Sequence, residues 1–167
     1  MGNNNSNYNI IRVTPTLDTS AYAQGDVLFT ATAIPNAVKG DGGCSMLVAM
    51  YVLNQETTEI DIEFIFSEGS TALGTINATA NISDANLEAL NISGALKLDG
   101  GESKTAELDN ATIYNVYNNA SIEHSKPMLL QAAAGSTSVY VQGVLTGSAT
   151  PTYAADDIDL IFHIQYK

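Results

Sequence analysis

Two short stretches constrain this chain more than anything else in it. In EIDIEFIFS, residues 59–67, the apolar Ile60, Ile62, Phe64 and Phe66 alternate with Glu59, Asp61 and Glu63. In IDLIFHIQYK, residues 158–167, Ile158, Leu160, Phe162, Ile164 and Tyr166 alternate with Asp159, His163 and Gln165. Successive side chains of a strand point to opposite faces, so a period of two predicts antiparallel strands with one face on a core and one in water. The seven residues Ile60, Ile62, Phe64, Phe66, Leu160, Phe162 and Ile164 are the expected core.

CSMLVAMYVL, 44–53, is almost continuously apolar, as a strand covered on both faces would be. Further strands are predicted at 26–33, 94–98, 111–117, 127–132 and 138–144. Pro127 suits a strand start, where no ladder donor is lost. Turn signals separate the runs at 40–43 (GDGG), 67–70 (SEGS), 98–103 (LDGGES), 133–138 (AAGSTS) and 146–152 (TGSATPT). SDANLEAL, 83–90, reads as one short helix with Ser83 able to cap it. About eight short strands with such spacing predict an all-β fold, an antiparallel β-sandwich of jelly-roll type with one short helix. The expected organisation is a polar arm, 1–9, followed by a single domain, 10–167.

The chemistry-bearing residues are sparse. Cys44 is the single cysteine, so it forms no internal disulfide and no multi-thiolate metal site, and it reads as a small buried hydrophobe. His124 lies in a polar EHSK loop and His163 on a polar strand face, and neither accompanies a nucleophile elbow. Glu59, Asp61 and Glu63, and Asp156, Asp157 and Asp159, lack the spacing of a calcium loop and read as solvated acidic faces. Asn-x-Ser/Thr sequons at Asn77, Asn81, Asn91, Asn110 and Asn119 follow from a composition rich in those residues. LDGGES lacks the Gly-Lys-Ser/Thr ending of a phosphate loop. No catalytic, cofactor-binding or metal-binding residue is assigned, no cofactor is expected, and the chain reads as no enzyme. A formal charge of −12 disfavours nucleic acid and anionic membrane surfaces as partners. No apolar run is long enough for a transmembrane helix, and no secretory signal is recognisable.

Gly2 and Ser6 fit an N-myristoylation pattern, but no polybasic patch supplies the second signal that stable anchoring needs. The Asn-rich arm therefore reads as a solvated or docking segment, expected to be mobile in isolation. RVTPTLDTSAYAQGDVLFTATAIPNAV, 12–38, and PMLLQAAAGSTSVYVQGVLTGSATPTYAADDIDLIFHI, 127–164, together with DIEFIFS, the LG at 73–74 and NISDA at 81–85, resemble a family of small virion structural proteins of tailed bacteriophages, many from marine hosts. The resemblance is strongest at the two ends and faint between Leu96 and Ser125. It implies a structural, non-catalytic capsid decoration or cement protein on the virion surface. The implied partners are the major capsid protein and further copies of the chain, a homotrimer being preferred. The alternative is a receptor- or carbohydrate-binding module of a phage tail or fibre. Tyr8, Tyr22, Tyr114, Tyr117 and Tyr153 are the aromatics such a module could use.

Overall fold

A computed structural model describes residues 7–116 and 127–167. It contains β1 (Tyr8–Val13), β2 (Val27–Ile34), β3 (Cys44–Asn54), β4 (Ile62–Ser67), α1 (Asp84–Ala89), β5 (Ile92–Leu98), β6 (Lys104–Leu108), β7 (Ala111–Asn115), β8 (Met128–Gln131), β9 (Val139–Leu145) and β10 (Ile158–Tyr166). The strands form two antiparallel sheets. One runs β1-β10-β3-β7-β6, with β8 beside β7 on the same edge of β3, and the other runs β2-β9-β4-β5.

The pairing is nested. β1 pairs with β10, β2 with β9, β3 with β8 and β4 with β5. The chain is thus a long antiparallel ribbon, doubled back near β4 and β5 and wound so that β10 meets β3 and β9 meets β4. That is the jelly roll expected from the sequence, with the β6–β7 hairpin added at one edge.

The alternating stretches build the core between the sheets. Leu160, Phe162 and Ile164 of β10 and Leu47, Met50 and Val52 of β3 face Phe64 and Phe66 of β4, Phe29 of β2 and Val141 of β9, all fully buried. Phe66 meets Phe162 edge to face, ring centroids 6.1 Å apart, which ties one sheet to the other. Each such side chain contributes roughly 1.5–3 kcal/mol by leaving water. Gly143 in β9 has a packing reason: a Cβ there would lie 2.5 Å from the Phe29 ring.

Several expectations shift. Tyr8 and Asn9 belong to β1, hydrogen-bonded in register with Gln165 and Ile164, so the strand starts before residue 10. The rest of the arm, 1–6, lies outside the described residues. β6 is an additional strand and a mostly exposed edge. Ile60 is buried as expected, but β4 begins only at Ile62, and the Asp61 carboxylate just before it accepts the Gly100 N–H at 2.9 Å. Ser83 occupies the cap position of α1, yet its side chain makes no capping hydrogen bond. Cys44 is half-buried at the first position of β3, where the strand has only begun to enter the sandwich.

Candidate functional site

The two sheets treat their outward faces differently. Over the β2-β9-β4-β5 sheet, the segment between β4 and β5 folds back as a cover. Leu73 and Leu90 are buried with Val27, and Ile65, Ile82 and Val144 pack against them. Gln142 of β9, fully buried, accepts from the Leu73 N–H and donates to the Thr71 carbonyl, both at 2.9 Å. The cover is also tied to the edge of β2, where Val27 N–H donates to Ala78 and Asn77 N–H donates to Val27.

Among the described residues, no segment lies over the outward face of the β1-β10-β3-β7-β6 sheet in this way. Its strands nonetheless present apolar side chains there. Ile161 of β10 sits beside Tyr51 of β3, Leu53 of β3 beside Ile113 of β7, and Met46 of β3 beside Leu129 of β8. Ala106 and Leu108 continue the face across β6. At the opposite edge Ile10 is 65% exposed, and Leu129 and Leu108 are 47% and 55% exposed. The central side chains Met46, Tyr51, Leu53, Ile113 and Ile161 are half-buried, and the apolar groups fully in the open are those at the rim.

The face carries almost no free charge. Its strands bring one carboxylate to it, Asp159, whose side chain is only 3% exposed. Asp159 is clasped by Arg12 of β1 in an ion pair, and the Thr14 hydroxyl donates to its other oxygen at 2.6 Å. The Arg12 hydrogen bond, joined by that of Thr14, holds the carboxyl below the usual carboxylate range despite its burial. His163 lies on the same face with its ring 5.3 Å from that of Tyr51.

The acidic groups expected to be solvated clusters therefore divide. Glu59 pairs with Lys104 at 3.4 Å, Asp61 caps a turn, and Glu63 is exposed opposite Lys97. Asp159 leaves the cluster with Asp156 and Asp157 for its partner on β1. No group of three potential metal ligands converges among the described residues. His124, Tyr117 and Asn119 lie outside them.

The tyrosines correct the carbohydrate-platform expectation. Tyr22, Tyr114 and Tyr153 are buried, because their rings complete the core and leave only Tyr8 of the described candidates in the open. Tyr22 and Tyr153 meet edge to face, the Tyr22 hydroxyl donates to the Leu28 carbonyl at 3.0 Å, and burial pushes the Tyr153 hydroxyl strongly up.

An open cleft of about 560 Å³ lies where β5 approaches β8, lined by Glu68, Asn91, Ile92, Ser93, Leu129 and Gln131. Its amides are already engaged. Asn91 donates to Glu68 at 3.3 Å, and Gln131 donates to the Gly42 carbonyl at 2.7 Å. A lone carboxylate without a histidine or second acid there makes no acid–base pair.

The uncovered face was not recognised in the sequence, although its signals were present. Ile161 breaks the polar side of the alternation in β10, and CSMLVAMYVL is apolar at outward as well as inward positions.

No protein-family model matches the chain, and no curated protein matches it. Among solved structures, it is similar to the VP2 subviral particle of infectious bursal disease virus, with a TM-score of 0.31 and 10% identity, over 97% of this chain and 38% of that one. This chain thus spans well under half the length of that protein.

Proposed function

We propose that this chain is a virion structural protein of a tailed bacteriophage that decorates the capsid, binding the major capsid protein lattice and stabilising the head. The observation that carries the reading is an apolar, nearly uncharged sheet face over which no described segment folds, on a sandwich whose described residues hold no catalytic constellation. Such a face suits repeated, chemistry-free contact with protein. The resemblance of segments 12–38 and 127–164 to phage virion proteins supports the same role. Segment 12–38 supplies β2 and the last two residues of β1, and segment 127–164 supplies β8, β9 and most of β10; β2 pairs with β9 in one sheet and β1 with β10 in the other.

The residues before β1 remain part of the proposal only as a segment that could add to a sheet edge of the lattice. The tail or fibre module is the weaker reading, since three of its candidate aromatics are in the core.

The test is to mix the purified chain with undecorated heads and sediment them, then to locate it on virions by crosslinking. Saturable binding in a fixed ratio to the major capsid protein, with raised thermal resistance of the heads, is expected. Density or crosslinks confined to tail or fibre would overturn the reading.

A further inference from the structure

We propose that the cleft between β5 and β8 binds a lysine side chain carried on an extended segment of a partner protein. The cleft shares only Leu129 with the sheet face assigned to the capsid lattice, and the proposal does not rest on that assignment.

The lining selects a cation. Asn91 donates to Glu68 at 3.3 Å, and Gln131 donates to the Gly42 and Ala132 carbonyls at 2.7 and 3.3 Å. Both amides thus turn their N–H groups into the chain. What they leave for a ligand is their oxygens, beside the Glu68 carboxylate, and these accept only. Among the described residues no Lys or Arg pairs with Glu68, whereas Glu59, Glu107 and Asp159 each have such a partner. Ser93 lines the same cleft, and its buried hydroxyl has no hydrogen-bond partner, so a polar group seated there gains a bond that the isolated chain lacks. An anion would be repelled from this lining, and a neutral apolar ligand would strip water from the acceptors and return nothing.

The apolar part selects the stem. Ile92 and Leu129 line the cleft and are 46% and 47% exposed. A lysine lays four methylenes along such ground and carries three N–H donors at its tip, which matches a carboxylate among amide oxygens. The cleft's volume of about 560 Å³ accommodates the side chain with its flanking backbone.

The strand edge selects the carrier. The Ala132 N–H donates to the Gly43 carbonyl, one step beyond the pairing of Gln131 with Cys44. Antiparallel alternation therefore turns the N–H and C=O groups of Leu129 and Gln131 away from β3. Among the described residues β8 pairs with β3 alone, and β5 ends its own sheet. An extended segment can pair along that edge of β8 and lower one side chain into the cleft.

The experiment is an NMR titration of the full chain with a capped pentapeptide, threonine-valine-lysine-valine-threonine. Saturable shifts confined to Ile92, Ser93, Leu129 and Gln131 are expected, with affinity falling as salt rises. Norleucine in place of the peptide's lysine should weaken binding about three- to fivefold or more, as loss of a charge pair does. Glu68→Gln should do the same while keeping an oxygen for Asn91, with circular dichroism and melting unaltered. Glu63→Gln, at an exposed position of β4, should leave binding unchanged. The norleucine arm leaves the protein untouched, so it decides the matter even if the Glu68 variant folds poorly. No saturable shift, shifts spread over the whole surface, equal affinity for the norleucine peptide, or indifference to Glu68→Gln would overturn the proposal. Equal binding of n-butylammonium, which has the stem and the charge but no backbone, would overturn the protein partner.

Discussion

Among the described residues, one sheet of this sandwich carries a cover and the other carries none. Outside β4 and β9, the chain returns after β4 to lay Leu73, Ile82 and Leu90 over Val27, Ile65 and Val144, and it satisfies a buried Gln142 on the way. Outside β10 and β3, apolar residues of similar size, among them Ile161, Leu53 and Ile113, have no comparable layer among the described residues. The two faces thus have similar chemistry and different fates. An apolar sheet face can be finished by its own chain or left to a partner, and only the first shows as burial in the monomer.

The comparison can be broken in order of effect. The largest loss should come from the shared core beneath both faces: Phe162→Ala on the bare sheet and Phe64→Ala on the covered sheet should each cost about 3–5 kcal/mol in chemical denaturation. Nearly equal losses are expected; a small loss for one alone would mean that the sheets do not share a single core. Next, Leu90→Ala in the cover should cost about 2–3 kcal/mol and raise binding of a hydrophobic dye as Val27 and Ile65 are uncovered. A variant as stable and as dye-inert as the parent would show that the cover does not hold that face.

A smaller difference should appear in acid. Asp159 is held below its usual pKa of 3.8 by Arg12 and Thr14. Its contribution is therefore complete above pH 3.8 and is lost as pH falls through its lowered folded value. In melts from pH 6 down to pH 2, the parent should exceed Asp159→Asn at the upper end, and the gap should close below 3.8. A gap that widens in acid would mean the carboxyl is not held ionised. The smallest effect belongs to the bare face: Ile113→Thr should change the stability of the dilute protein by less than about 0.5 kcal/mol. A loss as large as that of Leu90→Ala would mean that Ile113 is already buried, and the contrast between the faces would fail.

Most of the framework was legible in the residues. The alternations at 59–67 and 158–167 found β4 and β10 with their core faces, and five weaker runs found β2, β5, β7, β8 and β9 to within a few positions. β1 escaped because YNIIRV follows directly on asparagine-rich sequence, and β6 because KTAEL is a charged edge with nothing to bury. The site was less legible for a different reason. Whether Asp159 is solvated depends on Arg12, far away in sequence and brought alongside only by the β1–β10 pairing. Whether CSMLVAMYVL is covered on both sides depends on which loop returns over which sheet. Period and composition report which faces are apolar; they do not report what lies on them.

The nested ribbon also sets an order of events in time. β4 and β5 are the closest of the nested pairs along the chain, whereas β1 and β10 join residues as distant as Asn9 and Tyr166, 157 apart. Closing distant pairs costs loop entropy before any contact returns it, so such topologies fold in milliseconds to seconds, slowly for their size. Assembly would run outward from the β4–β5 turn, as a zipper closes, and the β1–β10 pair would be the last tooth. The Arg12–Asp159 clasp spans that last pair. Until it forms, Asp159 stands without its Arg12 partner beside Ile161.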